Sequence, residues 1–353
     1  MKFILTADDY GISPLIDDAI EEAAKAGVIT TVAAFANKRA SAPGEPIRFD
    51  VSKIADFQKR FEGKVSVGMH FTVTSGPRVC DHAESLSPKK KKRRRRRFKG
   101  VGSQMINAKE QDVYDELKAQ LRLFQEAEIK ISHFSDHHGI ISHTKKGRKA
   151  LFKVVSEYNR EMNLRIPIRN PLFTSTLINN TSNCLDNSKA AKGAQLPVSV
   201  QNIARLIFKS RRKREKGKFQ LSLKALSNFV TEMNKMGIPT TDYFVDSFWS
   251  AFDESVPRCV FNPDNYIVKP NLLLPLDSAE PTVEFMLHIA QTRDQFQGNY
   301  DQEIENIKAH GGIDPGYVQK GRLHEARLLH DFVKKHTNDA DRKSFAPYLQ
   351  PIH

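Results

Sequence analysis

The sequence predicts an α/β protein built as a (β/α) barrel of mostly parallel strands, and three observations carry that prediction. Short apolar, β-branched segments alternate along the chain with helical patterns, which is the signature of βα units. Seven strand candidates recur with helical crossovers between them, and that suits a barrel, even an incomplete one, better than an open sheet. Acids and histidines stand where the apolar segments end, the place where chemistry gathers in parallel folds. The chain has 353 residues; two domains would fit, but a barrel of about 250 residues carrying insertions is common as a single unit.

The first strand candidate is Lys2 to Ala7, whose Phe3-Ile4-Leu5 run leads into Asp8-Asp9-Tyr10-Gly11. Ser13-Pro14 then opens a helical pattern through Ile16, Ile20 and Ala24 to Gly27, with serine as cap, proline in the first turn and glycine as the stop. Further strand candidates are Ile29 to Phe35, Lys64 to His70, Ile129 to Phe134, Leu164 to Ile168, Asp242 to Val245 and Val283 to His288. Helical patterns fall at Ile54 to Phe61, Glu110 to Ala127, Arg148 to Tyr158, Ser222 to Lys235 and Tyr300 to His310. No internal repeat or glycine-rich phosphate loop interrupts this order.

Two insertions and a tail complete the organisation: one domain over residues 1–335, inserts at about 77–101 and 170–218, and a C-terminal tail over 336–353. Net charge is +14, and its distribution is uneven. Lys89 to Lys99 holds ten basic residues, and Lys209 to Lys218 holds seven with one acid, Glu215. The rest of the chain is close to neutral, so the basicity belongs to the inserts. Charge blocks of this kind self-repel and are usually solvated loops; nucleic-acid contact or nuclear import is the specific alternative. No aromatic residue interleaves with the first run before Phe98, which weakens a base-stacking role. Membrane partners are not expected, because no apolar stretch approaches the roughly 20 residues that span a bilayer. The N-terminus does not read as a secretory signal, and Cys80, Cys184 and Cys259 lack pair spacing, so an intracellular, cytoplasmic location is expected.

The polar residues at strand ends define the candidate site. Three apolar segments end in Asp8-Asp9, in Gly68-Met69-His70 and in Asp136-His137-His138. One of the two aspartates could simply cap the following helix, but Ser13 already fills that role. In one barrel these ends converge, and one carboxylate with two imidazoles leaves open positions for water or substrate on a catalytic divalent ion. A fourth end adds His288. Glu284 and Arg165 also interrupt apolar contexts, as a buried ion pair or as substrate contacts.

At these residues the chain resembles the YdjC-like carbohydrate deacetylase family, which includes chito-oligosaccharide deacetylases. The resemblance runs from residue 3 to about 330 through TADDYGISP, DDAIEEAAKAGVITTVAAFAN, VGMHFTVTSGP, HFSDHHG, LRIPIR, TTDYFVD, TVEFMLH and GRLHEARLL. It implies an irregular, TIM-like (β/α) barrel acting on N-acetylated sugars or oligosaccharides with one divalent ion, magnesium or zinc. It also implies Asp9, His70 and His137 as metal ligands and Asp8 as the base. The chain departs from the family around Ser135-Asp136-His137-His138-Gly139, which leaves His138 as an alternative ligand, and at Ile289-Ala290-Gln291, where the family commonly has Pro-Gly. In the implied amide hydrolysis His288 is the candidate proton donor, while Arg165 and Glu284 orient substrate or brace the site. The rival readings are another metal-dependent hydrolase, such as a phosphodiesterase, and a nucleic-acid-binding protein on a degraded barrel.

Overall fold

The computed structural model describes residues 2–38, 46–87, 108–142, 144–169, 231–241, 243–245, 282–310, 313 and 315–336. Among these residues the strands are β1 Lys2–Tyr10, β2 Thr31–Ala34, β3 Ser66–Phe71, β4 Phe134–Asp136, β5 Tyr243–Val245 and β6 Thr282–Leu287. The helices are α1 Pro14–Lys25, α2 Ser52–Arg60, α3 Glu110–Glu126, α4 Lys145–Met162, α5 Tyr300–His310 and α6 Pro315–His336. α1 begins as its sequence dictates: Ser13 is extended, its hydroxyl accepts from Leu15 N at 3.3 Å, and Pro14 fills the first turn.

The strands form one parallel sheet in the order β4-β3-β2-β1-β6-β5. Placing the last strand beside the first is the wrap-around neighbourhood of a barrel, and the sheet curls accordingly. The barrel expectation is met in part, because the described residues do not close the gap between β4 and β5 with a full strand. Leu164 to Ile168 contributes one parallel bridge, Phe134 to Ile168, and Ile168 N donates to Pro239 O at 3.0 Å. Pro167 lies inside this run and has no N–H to give to a ladder, although its carbonyl accepts from Phe134 N at 2.8 Å. The fourth strand also starts later than its apolar run suggests. The chain leaves α3 through Glu128 at φ 55°, and ladder contacts begin where Ser132 N donates to Val67 O at 2.8 Å.

The run Lys89 to Lys99, the insert 170–218, most of Ser222 to Lys235 and the tail beyond His336 lie outside the described residues.

Period-2 alternation divides the sheet into two faces. Leu5 and Ala7 of β1, Val32 and Ala34 of β2, Val67, Met69 and Phe71 of β3, and Phe285 and Leu287 of β6 join the main apolar core under the helices. The opposite set, Thr6, Asp8, His70 and Glu284, is buried as well but polar. The polar face is thus enclosed, and every charge on it needs a partner. Gly68 lies in this register, and a Cβ there would come within 1.9 Å of the His133 ring. The glycine before His70 is therefore a packing requirement of the neighbouring strand. Gly68→Ala is expected to lose about 1–3 kcal/mol of stability by overpacking. His133→Ala in the same chain should return part of that loss, and a double-mutant cycle in urea with simple additivity would refute the contact.

Candidate active site

Adjacent strand residues point to opposite faces, so Asp8 and Asp9 cannot both face the enclosed side in a regular strand. The register shift resolves this: Asp8 pairs with Ala33 and Tyr10 with Ala34, leaving Asp9 as the extra residue of a bulge. Asp9 sits at φ 74°, a left-handed conformation that costs a non-glycine residue about 1–2 kcal/mol. The next turn is held by Gly11 at φ 91°, whose N–H donates to Asp17 Oδ1 at 2.7 Å.

The two carboxylates are fully buried and differently partnered. Asp8 receives a two-pronged pair from Arg169, with Nη1 at 2.7 Å from Oδ2 and Nη2 at 2.8 Å from Oδ1. The same guanidinium donates through Nε to Glu284 Oε1 at 2.7 Å, where the Thr6 hydroxyl also donates at 3.0 Å. Burial pushes the Glu284 carboxyl up even with Arg169 against it. Arg169 itself stays charged: burial opposes this, but Asp8 and Glu284 outweigh it and raise its pKa.

Asp9 has one oxygen committed and one open. Its Oδ2 accepts from Arg322 Nη2, and His288 Nε2 lies 3.9 Å from the same oxygen. Its Oδ1 is buried without a hydrogen bond, 3.3 Å from His137 Nδ1 and 3.7 Å from His70 Nε2. Burial opposes ionisation of Asp9, yet Arg322 and then His137 hold its carboxyl well below the usual range. One oxygen and two nitrogens from Asp9, His70 and His137 lie within 4.8 Å of one another, a group that could hold a metal.

Surrounding residues orient this group. His70 Nδ1 pairs with the Ser135 hydroxyl at 2.7 Å, which leaves Nε2 facing the aspartates. Burial, then the neighbouring His137, push the His70 pKa well down, so the ring is neutral at neutral pH. Phe35 stands edge-on to both rings, at 5.0 Å from His70 and 4.9 Å from His137. Asp136 is spent on the loop that follows: it accepts from Ile141 N at 2.9 Å and from the Ser142 hydroxyl at 2.5 Å. His138 is at φ 63°, and its Nδ1 pairs with Thr74 Oγ1 at 3.0 Å. The geometry therefore brings His137, and not His138, to Asp9.

His288 follows the last residue of β6, and its backbone N–H donates to Glu325 Oε2 at 2.6 Å. Tyr317 donates its hydroxyl to the other Glu325 oxygen. Glu325 is raised to about 8 by burial, and His288 is lowered to about 4 by the same cause. Arg322 and Glu325 are one turn apart on α6, so both reach the site from one helix face.

Arg165 is a correction. Its side chain is exposed, and the arginine that reaches Asp8 and Glu284 is Arg169, four residues later. The segment Leu164-Arg165-Ile166-Pro167-Ile168-Arg169 offered two arginines, and the bridge at Ile168 aims the second one inward. Sequence reasoning also passed over Arg322, Glu325, Tyr317 and Ser135. Only the Gly-Arg-Leu-His-Glu-Ala-Arg stretch hinted at the first two, as charges spaced three apart on a helix.

Arg169→Met would leave Asp8 and Glu284 buried without their cation, at a cost of about 3–5 kcal/mol. Glu284, already raised by burial and then without the guanidinium that opposes this, would keep a proton in the folded state that the unfolded chain releases, so stability falls as pH rises. Urea unfolding is expected to give a larger deficit at pH 7 than at pH 4.5; an equal deficit would remove Arg169 from this role.

The model of the YdjC-like protein family matches residues 2–334. A carbohydrate deacetylase of Brevibacillus brevis is 28% identical over 176 residues, 50% of this chain and 62% of the relative. A carbohydrate deacetylase of Listeria monocytogenes serotype 4a is 34% identical over 140 residues, 40% of this chain and 52% of the relative. The chain thus spans between about half and three-fifths of the length of these relatives. A crystal structure from Enterococcus faecalis V583, of a protein named for a presumed cellobiose-phosphate cleavage activity, shares 14% identity and a TM-score of 0.58 over 98% of each chain. That likeness bears on the fold alone. Matched over almost its whole length, the chain belongs to the YdjC-like protein family.

Proposed function

We propose that the protein is a metal-dependent hydrolase that removes N-acetyl groups from amino sugars or their oligosaccharides. The observation that carries this reading is the enclosed group of Asp9, His70 and His137, with an unbonded carboxylate oxygen ringed by two imidazole nitrogens. Family membership and relatives named carbohydrate deacetylase support the same chemistry. Two-metal phosphodiester hydrolysis needs a second ligand set, and among the described residues one such group is found.

The donor set of one oxygen and two nitrogens suits zinc and accepts magnesium, cobalt or manganese. An ion held there would polarise the acetamide carbonyl and acidify a water molecule.

Asp8 stands beside the group, with Oδ2 at 3.6 Å from His70 Nε2, and is not needed as a ligand. After the Arg169 bonds each oxygen keeps a lone pair, so Asp8 is the group left to take the proton of the attacking water. The departing sugar amine needs a proton in return. We assign that transfer to His288, whose side chain is 16% exposed and so reaches the open side. Its lowered pKa makes it neutral at rest, so the proton it delivers to the amine nitrogen as the C–N bond breaks is the one Asp8 takes from the attacking water, which returns Asp8 and His288 to their starting states. Glu284 braces Arg169 and has no assigned contact with substrate.

Asp8→Asn is expected to lower acetate release from N-acetylglucosamine oligomers by about 100-fold or more, the scale of a general base, with metal content unchanged. Asp9→Asn and His70→Ala should lose both activity and metal. Metal analysis of the purified variants together with an acetate assay tests this. Parent-level turnover in Asp8→Asn would remove it as the base, and failure of the parent on every N-acetylated sugar tried would overturn the reading.

A further inference from the structure

We infer that Arg322 stands in for a divalent cation on Asp9 when none is bound, and that it thereby holds down the protein's affinity for the ion. This rests on the metal-dependent reading above. The contrast between the two aspartates points to it. Arg169 covers both oxygens of Asp8 and also bonds Glu284, so its charge is shared between two acids. Arg322 is 1% exposed and bonds Asp9 through Nη2 alone; its Nε and Nη1 are buried without partners. A buried guanidinium with one bonded nitrogen is a poor way to build a rigid brace. It is an effective way to place a positive charge beside a carboxylate that would otherwise be buried and uncompensated.

The same charge works against a metal. Arg322 donates to Oδ2 of the carboxylate whose Oδ1 faces His70 and His137, which withdraws electron density from the ligand oxygen. It also sets one cation close to another in an enclosed space, where screening is weak. Ser135, the partner of His70, orients its ring without adding charge. Loss of the Arg322 charge therefore has two effects of the same sign: the metal-free protein becomes less stable, and the ion binds more tightly.

Arg322→Gln keeps a hydrogen-bond donor and removes the charge, whereas Arg322→Lys keeps the charge and shortens the fork. Chelator-stripped protein is titrated with Zn²⁺ and with Mn²⁺ by calorimetry, and thermal unfolding is followed with and without the ion. For Arg322→Gln the expected results are a Kd about tenfold lower or more, a lower metal-free Tm, and a wider gap between metal-free and loaded Tm. For Arg322→Lys the Kd should stay near that of the parent. An unchanged or weaker Kd in Arg322→Gln would overturn the inference and make Arg322 an orienting residue. If Arg322→Gln folds only with metal, competition against a chelator reads the same Kd with the same required sign. A parent that binds neither ion would overturn the metal reading itself, and this inference with it; a parent that binds while Arg322→Gln is unchanged overturns the inference alone.

Discussion

Two adjacent carboxylates, both fully buried, are the constraint around which the molecule is organised. A buried charge persists only with a partner, and neither acid finds one nearby in sequence. Asp8 is answered by Arg169, 161 residues later, and Asp9 by Arg322, 313 residues later. Those two ion pairs tie the first strand to the segment after α4 and to α6. The long-range architecture and the electrostatics of the site are therefore one problem: the fold must return twice to the end of β1 with a cation.

The bulge at Asp9 gives the two aspartates different surroundings. In a regular strand one acid would point into the apolar layer with Leu5 and Ala7, where no partner waits. The left-handed turn at Asp9 swings it back to the enclosed face, and the Gly11 to Asp17 bond fixes the turn that follows. Asp8 remains in register and is fully paired. Asp9, out of register, keeps one open oxygen toward His70 and His137.

What the sequence made legible follows from local signals. The strand ends at Asp8-Asp9, His70 and His137 were readable because apolar runs stop there, and parallel strands bring their ends to one side. The capped start of α1 was readable from Ser13-Pro14. Arg165 drew notice because it interrupts an apolar run, but Arg169 lies on the same strand parity four residues later, so alternation does not separate the two, and Pro167 between them limits the ladder to the single bridge at Ile168. The choice between His137 and His138 depends on a single positive φ, which sequence does not display for a histidine. Arg322 and Glu325 stayed hidden because a helix carrying charges every third or fourth residue reads as a solvated face. Their burial exists only because α6 packs against the end of β1 and β6.

The neutral state of the imidazoles then becomes intelligible. His70, His138 and His288 all have their protonated forms disfavoured, with burial as the first cause and neighbouring cations or histidines adding to it. Glu325 is pushed toward its protonated form by the same burial and is held by the His288 N–H and the Tyr317 hydroxyl. The His70, His138 and His288 rings thus present lone pairs in place of charges. A neutral imidazole is the form that ligates a metal, whereas an imidazolium must first shed a proton. The same burial that forces two arginines to travel to the aspartates also keeps the His70 ring in the neutral form that a metal would need, so the cost of enclosing this group and the readiness of His70 have a single physical origin.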